Sequence, residues 1–278
     1  MKDFVIREYT VETRKLKRGQ KLRFCVLADL HGNIYGYRNE RLLGAVKDRR
    51  PDAVLIPGDQ VVRKNAPSLK TGLSVCRELR KIAPVYYSLG NHERDMIGLD
   101  ERAPWEDSPS VRMFRKYVDA LKREEIVVLD NQSERFFHGT DAVSVFGLTI
   151  PMGCYRRGMP EKLEKSYLKR VLPERNKGDL SVLLAHNPVY GDLYFDWGAD
   201  LIISGHLHGG VIRLGKRTGV VSPQFRLFPP YSCGDFYRGE KVMIVSAGIG
   251  DHDMPLRINN PRELVSIRLL GVRDGDRC

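Results

Sequence analysis

The segment LRFCVLADLHG, residues 22–32, joins an apolar run to the polar side chains that end it. Residues 22–28 have the composition of a buried β-strand. Asp29 and His31 follow directly, and residues two apart in extended backbone point the same way. Their side chains can therefore converge on one cation, although an Asp-x-His triplet taken alone is usually a chance occurrence. The segment favours a fold in which polar residues line the end of a buried strand.

Four further polar segments follow apolar runs elsewhere in the chain. Each segment on its own has an ordinary explanation, such as a turn or a solvated loop. Five of the seven histidines nevertheless fall in these segments and the first one. If the apolar runs are strands, all five segments open on one edge of the sheets, where α/β proteins usually place their sites. The four segments are Gly58-Asp59 after AVLIP, Gly90-Asn91-His92-Glu93 after VYYSL, His186-Asn187-Pro188 after LSVLLA, and Gly205-His206-Leu207-His208-Gly209-Gly210 after ADLIIS.

Short apolar runs alternate with amphipathic stretches, which predicts βαβ units and a single α/β domain over residues 1–278. From about residue 125 strand-like runs follow one another with turns between them, which indicates a second, more antiparallel sheet. Residues 209–240 are rich in Gly, Pro and aromatic residues and are predicted to form a long ordered loop. The predicted helices cover 39–48, 68–82, 111–122 and 162–171, and the predicted strands cover 22–28, 53–57, 85–89, 126–130, 134–139, 142–150, 180–186, 199–206, 241–248 and 263–269.

The composition is that of an ordinary globular chain, with 42% apolar and 29% charged residues. No run approaches the roughly 20 apolar residues that span a bilayer, and the N-terminus has no continuous apolar signal segment. The five cysteines are scattered without a CxxC pair, which argues against a zinc ribbon or a disulfide scaffold. We therefore expect a cytoplasmic protein.

The net charge is +11, and part of the excess lies near the start of the chain. One interpretation is attraction for anions such as phosphates, lipid headgroups or nucleic acid. The other, equally weighted, is a solvated basic surface. Aromatic residues do not alternate with the basic residues there, so a nucleic-acid groove is not specifically indicated. These basic residues are Arg14, Lys15, Lys17, Arg18, Lys21 and Arg23.

Asp, His and Asn side chains make up the donor set of the five segments. Nitrogen and oxygen ligands of this kind suit borderline divalent cations such as Mn, Fe, Co or Zn. The absence of cysteine from the set argues against a structural zinc site. The pair His206 and His208 is the best single indication of metal binding, because the flanking glycines permit tight backbone paths that can aim both rings at one cation.

In the order of these segments, the chain resembles the calcineurin-like metallophosphoesterase superfamily. The order Asp-x-His, Gly-Asp, Gly-Asn-His-Glu, His and Gly-His-x-His runs from Asp29 to His208. Residues 204–214, 221–231 and 245–250 look most like the branch of small bacterial phosphoesterases that are often membrane-associated. The resemblance implies a mixed α/β (α+β) fold, in which two mixed β-sheets flanked by helices form a four-layer sandwich.

The resemblance also implies two divalent cations, which could be Mn, Fe, Zn or Co, with Mn expected to serve best in vitro. The pair would hold a bridging hydroxide that attacks phosphorus in line with the departing oxygen. Asp59 would bridge the two cations. Asp29, His31 and His208 would hold one of them, and Asn91, His186 and His206 would hold the other.

By the same resemblance, His92 is the general acid, or a donor that stabilises the developing charge on the leaving group. Many members of the superfamily read Gly-Asp-x-x-Asp, and the second Asp orients this histidine. Here the segment is Gly58-Asp59-Gln60-Val61-Val62, so Val62 stands at that position. Either another group orients His92, or its role is weaker in this chain.

The leading hypothesis is a metal-dependent hydrolase that cleaves a phosphoester or pyrophosphate bond in a phosphate-containing small-molecule or lipid-linked substrate. A nuclease is one alternative, because related nucleases use the same metal site, and the positive charge permits nucleic acid without indicating it. A non-catalytic scaffold of the same fold is another, and the complete ligand set argues against it. The charge also permits peripheral contact with a membrane. Candidate phosphate contacts, each more simply explained as solvated surface, are Arg94, Tyr155, Arg156 and Arg157.

Overall fold

Strands and helices alternate along most of the chain, as the apolar pattern predicts. A computed structural model describes residues 3–63, 65–97, 108–215, 217–222, 227–251 and 256–273. The strands are β1 (Val5–Thr13), β2 (Lys21–Val26), β3 (Ala53–Ile56), β4 (Val85–Ser88), β5 (Val127–Leu129), β6 (Gln132–His138), β7 (Asp141–Leu148), β8 (Leu180–Ala185), β9 (Leu201–Ser204), β10 (Arg213–Leu214), β11 (Thr218–Gly219), β12 (Gly234–Arg238), β13 (Lys241–Val245) and β14 (Glu263–Gly271). The α-helices are α1 (Glu40–Asp48), α2 (Ala66–Arg80), α3 (Asn91–Met96), α4 (Pro109–Arg123), α5 (Tyr167–Val171) and α6 (Gly191–Trp197).

Two six-stranded mixed sheets form the centre of the fold. The first has the order β1-β14-β2-β3-β4-β5, with β2 to β5 parallel and β14 antiparallel to β2. The second has the order β12-β13-β9-β8-β7-β6, with β13, β9, β8 and β7 parallel. Its edge strands β12 and β6 run antiparallel to their neighbours. The second sheet therefore has two antiparallel strand pairs and the first sheet has one. The second sheet is thus the more antiparallel of the two, as the sequence predicts.

Three apolar layers explain why the sheets and helices stack. Alternate residues of β2 point to opposite faces, so Phe24 enters the layer between the two sheets, where Val182 of β8 also lies. The opposite face of the first sheet packs against α1, α2 and α4, for example through Leu79. The outer face of the second sheet packs against α5 and α6, for example through Phe195. The mixed α/β class and the two helix-flanked sheets are thereby confirmed.

The structure also contains elements that the sequence pattern does not predict. β1 is an edge strand that pairs in parallel with β14. The helices α3 and α6 have six and seven residues, too few for helical periodicity to be readable. The predicted helix at 162–171 is wrong at its start, because α5 begins at Tyr167. The predicted loop at 209–240 includes the β10–β11 hairpin and β12, and its residues 216 and 223–226 lie outside the described residues.

Two expectations from composition can be compared with the fold. Within the described ranges, no helix combines the length and the apolar content needed to cross a bilayer. Burial raises the pKa of the Cys25 thiol to about 12, which marks it as a packing residue. The buried free thiols are Cys25, Cys76, Cys154 and Cys233, while Cys278 lies outside the described residues.

We expect Leu22→Ala to lower the free energy of unfolding by about 2–5 kcal/mol, because Leu22 is fully buried between the sheets. Leu214→Ala is the matched control, since Leu214 is 54% exposed, and it should change that free energy by less than about 0.5 kcal/mol. Urea unfolding followed by circular dichroism measures both. Equal, small losses for the two variants would contradict the packing described between the sheets.

Candidate metal centre

The predicted site residues lie where parallel strands of both sheets end. Parallel strands present their carboxyl ends at one edge, so loops that are distant in sequence can meet there. Two loops of the first sheet and two of the second meet in this way, together with the start of α3. Asp29, Asp59 and Asn91 follow β2, β3 and β4, while His186 follows β8 and both His206 and His208 follow β9.

The first group brings ligand atoms of Asp29, His31 and His208 within 4.8 Å of one another. The Nε2 atoms of His31 and His208 are 3.1 Å apart, and Nε2 of His208 is 3.7 Å from Oδ1 of Asp29. Arg257 Nη2 lies 3.0 Å from Nδ1 of His208. The guanidinium therefore lies beside Nδ1 of His208, and Nε2 of the same ring faces His31 and the carboxylate of Asp29.

The second group brings together Asp59, His186 and His206 within the same 4.8 Å. Nε2 of His186 is 3.0 Å from Oδ2 of Asp59 and 3.8 Å from Oδ1 of Asp29, so the two groups adjoin. Nδ1 of His186 donates to the carbonyl oxygen of Pro57 at 3.0 Å, which directs Nε2 toward the carboxylates. Asp59 also forms a third group with His31 and His92, and therefore lies between the first two.

Asn91 begins α3 and adds an amide oxygen to this region. Its Oδ1 atom is buried and has no hydrogen-bond partner among the described residues. Leaving a buried acceptor unpaired costs about 1–3 kcal/mol, unless a ligand such as a cation compensates. The next backbone N–H, that of His92, donates to Oδ1 of Asp59 at 2.9 Å. The first turn of α3 is therefore tied directly to the second group.

Five of the seven predicted ligands have left-handed backbone, with φ between 48° and 67°. This conformation costs a residue with a Cβ atom on the order of 1–2 kcal/mol. Such residues persist only where the surroundings determine their conformation, and they are frequent at functional sites. The five residues are Asp29, His31, Asp59, His206 and His208.

Two glycines allow the loops after β3 and β4 to touch. A Cβ atom on Gly90 would lie 2.1 Å from Oδ1 of Asp59, and one on Gly58 would lie 2.6 Å from the backbone of Gly90. Neither gap admits a methyl group without moving a backbone segment. These glycines are therefore required by close approach, and Gly58 is also left-handed at φ 115°.

Glu93 joins the same two loops through its carboxylate. Its Oε2 accepts from the N–H groups of Asp59 at 2.9 Å and Gly90 at 3.0 Å. Its Oε1 accepts from the N–H of Gln60 at 2.8 Å and the hydroxyl of Tyr87 at 2.6 Å. No role for Glu93 is predicted from the sequence. The signal was its place in the Gly-Asn-His-Glu segment, but its partners become visible only in the fold.

Burial and neighbouring charges shift the two aspartates in opposite directions. Burial raises the pKa of Asp29 to about 7, against the lowering influence of His186. Burial would also raise the pKa of Asp59, but His186 and His92 outweigh it and hold that pKa well below the usual range. Burial would lower the pKa of His186, yet Asp59 raises it to about 9. Asp59 and His186 consequently form a buried ion pair at 3.0 Å.

The structure identifies a contact of His92 in this chain, which has Val62 where many members of the superfamily have an aspartate. Nδ1 of His92 accepts the backbone N–H of Arg63 at 3.3 Å, next to Val62 in the chain. An N–H donor at Nδ1 leaves the proton of the neutral ring on Nε2. The ring also packs edge-on against His31, with 4.8 Å between ring centres. A backbone group thus contacts the Nδ1 side of the ring, where many members of the superfamily have a carboxylate.

Tyr155, which the sequence explains more simply as a surface residue, lies against the histidines of the centre. Its ring packs edge-on against His206 with centres 5.0 Å apart, and it lies 6.2 Å from the ring of His186. Burial raises its pKa well above the ordinary value. Arg156 instead points to Glu161 at 3.3 Å, with its side chain 70% exposed. Tyr155 is therefore a wall of the second group, and Arg156 belongs to the surface.

These donors fit a divalent cation. Carboxylate oxygens and imidazole nitrogens lie within 4.8 Å of one another in buried groups, and this N/O chemistry suits borderline metals. The unpaired amide oxygen of Asn91 points to the same conclusion. Packed carboxylates and left-handed backbone are costly without such a partner. The arrangement can therefore bind divalent cations, as the sequence predicts.

Comparison with known proteins agrees with this chemistry. The profile of the family described as calcineurin-like phosphoesterase matches residues 22–210. Protein YpbG of Bacillus subtilis is 23% identical over 96% of this chain and 88% of its own length. Metallophosphoesterase Cj0846 of Campylobacter jejuni is 28% identical over 96% of this chain, which spans 64% of that protein. Sulfate thiohydrolase SoxB of Thermus thermophilus shares the fold alone, with 16% identity and a TM-score of 0.50 over 90% of this chain and 56% of that one.

The matched region begins at Leu22 in β2 and includes all five polar segments, from Asp29 to Gly210. It therefore covers both strand-end groups that converge at the candidate centre. The chain belongs to the calcineurin-like phosphoesterase family and is a phosphoesterase that binds metal ions.

Proposed function

We propose that the chain hydrolyses a phosphoester or pyrophosphate bond with the help of two divalent cations held side by side. The observation that carries this proposal is the position of Asp59. It groups with His186 and His206 and also with His31 and His92. A carboxylate has two oxygens, so one that lies between two sets of donors can serve both.

The donors form two sets, and each set would hold one cation. When bound, the pair supplies a hydroxide nucleophile at neutral pH and positive charge against the phosphoryl oxygens. The donor chemistry is compatible with Mn, Fe, Co or Zn, and we assign Mn as the cation that supports turnover in vitro. In this proposal Asp29, His31 and His208 hold one cation, Asn91, His186 and His206 hold the other, and Asp59 is shared.

His92 is assigned to the leaving group. Its side chain is 7% exposed, beside His31 and close to Asp59. Because the N–H of Arg63 occupies Nδ1, the neutral ring offers its Nε2–H to the departing oxygen. A donor at this atom stabilises developing negative charge or transfers its proton to it. This assignment keeps a function for His92 although Val62 replaces the orienting aspartate.

We expect Asp59→Asn to abolish turnover and to lower the bound manganese from two ions per chain to at most one. An amide has one oxygen and no charge, so it cannot serve two cations as a carboxylate can. Hydrolysis of a chromogenic phosphomonoester and a chromogenic phosphodiester with manganese measures turnover, and metal analysis of the dialysed protein measures content. A single-stranded oligonucleotide in the same assay tests the nuclease alternative.

The matched control is Asp196→Asn, which changes the same group on α6, where the side chain is 62% exposed. It should leave both rate and metal content unchanged. Normal rates for Asp59→Asn would sink the two-cation proposal. Absence of turnover by the wild-type protein with every divalent cation would point back to a non-catalytic scaffold.

His92→Ala should lower kcat by about 10²–10⁴-fold while two manganese ions remain bound, because the residue acts on the leaving group and is not a ligand in this proposal. His138→Ala in β6 is the control, and its rate should equal that of the wild type. The loss should shrink for substrates whose leaving group needs no proton. A uniform loss across leaving groups, or a loss of metal, would remove this role from His92.

Glu93→Gln should weaken manganese binding, because both carboxylate oxygens accept backbone N–H groups and an amide replaces one of these oxygens with an NH₂ donor. The unpaired donors should also lower the free energy of unfolding by about 1–3 kcal/mol. Leu22→Ala, which destabilises the fold from the distant core, controls for stability and should keep its manganese affinity. Manganese titration below the unfolding temperature measures both affinities. Equal affinities for Glu93→Gln and Leu22→Ala would show that Glu93 stabilises the fold without supporting metal binding.

A further inference from the structure

A cavity of about 250 Å³ lies at the other end of the first sheet from the candidate metal centre. Its floor comes from β1, β14 and β2, and its wall is the end of α1. Arg23 precedes Asp29 by six residues along β2, which places the cavity on the order of 20 Å from the centre. The charged side chains that line it are Glu8, Arg23, Asp48, Arg49, Arg50 and Arg268.

The cavity holds more positive than negative charge. Four arginines stand against two carboxylates, and Arg49 already pairs with Glu8 at 3.6 Å. Within the described part of the chain, the guanidinium groups of Arg23, Arg50 and Arg268 make no hydrogen bond or ion pair. An excess of cationic groups around one concavity favours an anion.

The register of the sheet places like charges together. Arg268 of β14 is directly opposite Arg23 of the antiparallel strand β2. Like charges at directly opposite positions destabilise a pair of strands, whereas an anion between them would turn the repulsion into two attractive contacts. The opposition of Arg23 and Arg268 therefore destabilises the protein without a ligand and becomes favourable when an anion is bound.

Arg49 supplies an independent observation. Its Nε atom is buried and has no hydrogen-bond partner among the described residues. Glu8 therefore does not use all the donors of this guanidinium, whose side chain is 34% exposed, and oxygen atoms of an anion are the acceptors that such donors prefer. The next residue, Arg50, has left-handed backbone at φ 45°, a conformation that is costly for a residue with a Cβ atom.

We propose that this arginine cavity is a second anion site, which binds a phosphate-sized dianion apart from the candidate metal centre. Its volume suits a single phosphate group and is small for a drug-sized ligand. Arginine's fork of N–H donors matches the oxygens of phosphate. The ligand is free orthophosphate or the phosphate group of a small phosphorylated molecule, since both present the same oxygens to the arginines.

The test measures thermal unfolding of the protein after chelation of its metals. Inorganic phosphate should raise the unfolding midpoint by about 2–4 °C over chloride of equal ionic strength. The rise should vanish in Arg268→Gln and in Arg23→Gln, and it should persist in Arg115→Gln, an exposed arginine on α4. In chloride alone, Arg268→Gln should unfold no earlier than the wild type, because the opposed charges are gone.

A second arm repeats the measurement with manganese bound, in the wild type and in Arg268→Gln. An arginine-dependent rise that is present without manganese supports the proposal, and a rise that requires manganese would place the phosphate at the metal centre and overturn it. The absence of a rise in the wild type, or an equal rise in Arg268→Gln, would also overturn it. A third arm substitutes glycerol phosphate for orthophosphate, and the ligand that gives the larger arginine-dependent rise identifies the source.

Discussion

The geometry of the candidate centre depends on the hydrogen bonds that the carboxylate of Glu93 accepts from two loops. Backbone N–H groups that converge on one point form an anion-binding concavity, and here the anion comes from the chain itself. Donors from the loop after β3 and from the loop after β4 share it, and Tyr87 completes it. Asp59 carries one of these donors, so the position of its side chain follows from a bond made by its own backbone. Glycine at positions 58 and 90 removes the Cβ atoms that would keep the loops apart.

Two features of the same region are unfavourable for the free energy of folding. Asp29 and Asp59 are both buried carboxylates, and the buried pair formed with His186 compensates only part of the charge. The left-handed backbone at five of the predicted ligands is also costly. A divalent cation held by these residues would offset both costs, because its charge would neutralise the carboxylates and its bonds would use the donor atoms that the loops bring together. The stability of the region and its capacity to bind metal are therefore coupled.

Much of the architecture could be predicted because buried strands leave a recognisable apolar pattern. The runs that became β3, β4, β8 and β9 are buried at every position, as expected for strands covered on both faces, whereas β2 is buried only from Phe24 onward and at Leu22. The mixed α/β class and the two helix-flanked sheets followed from this pattern and from the resemblance that it supported. The short helix α3 escaped prediction because its residues, Asn91 to Met96, are chosen for polar contacts. β1 escaped because only pairing with β14, some 260 residues away, makes it a strand.

The sequence by itself determined which residues stand at the ends of strands, and with them the candidate ligands and the family. Order along the chain was sufficient, since parallel strands bring their carboxyl ends to one edge. Only the tertiary structure decided which donors adjoin, because distances between loops depend on the packing of two sheets. It placed Asp59 between the other groups, set the N–H of Arg63 against His92, and opposed Arg23 to Arg268. These are long-range relations, and no local pattern of residues records them.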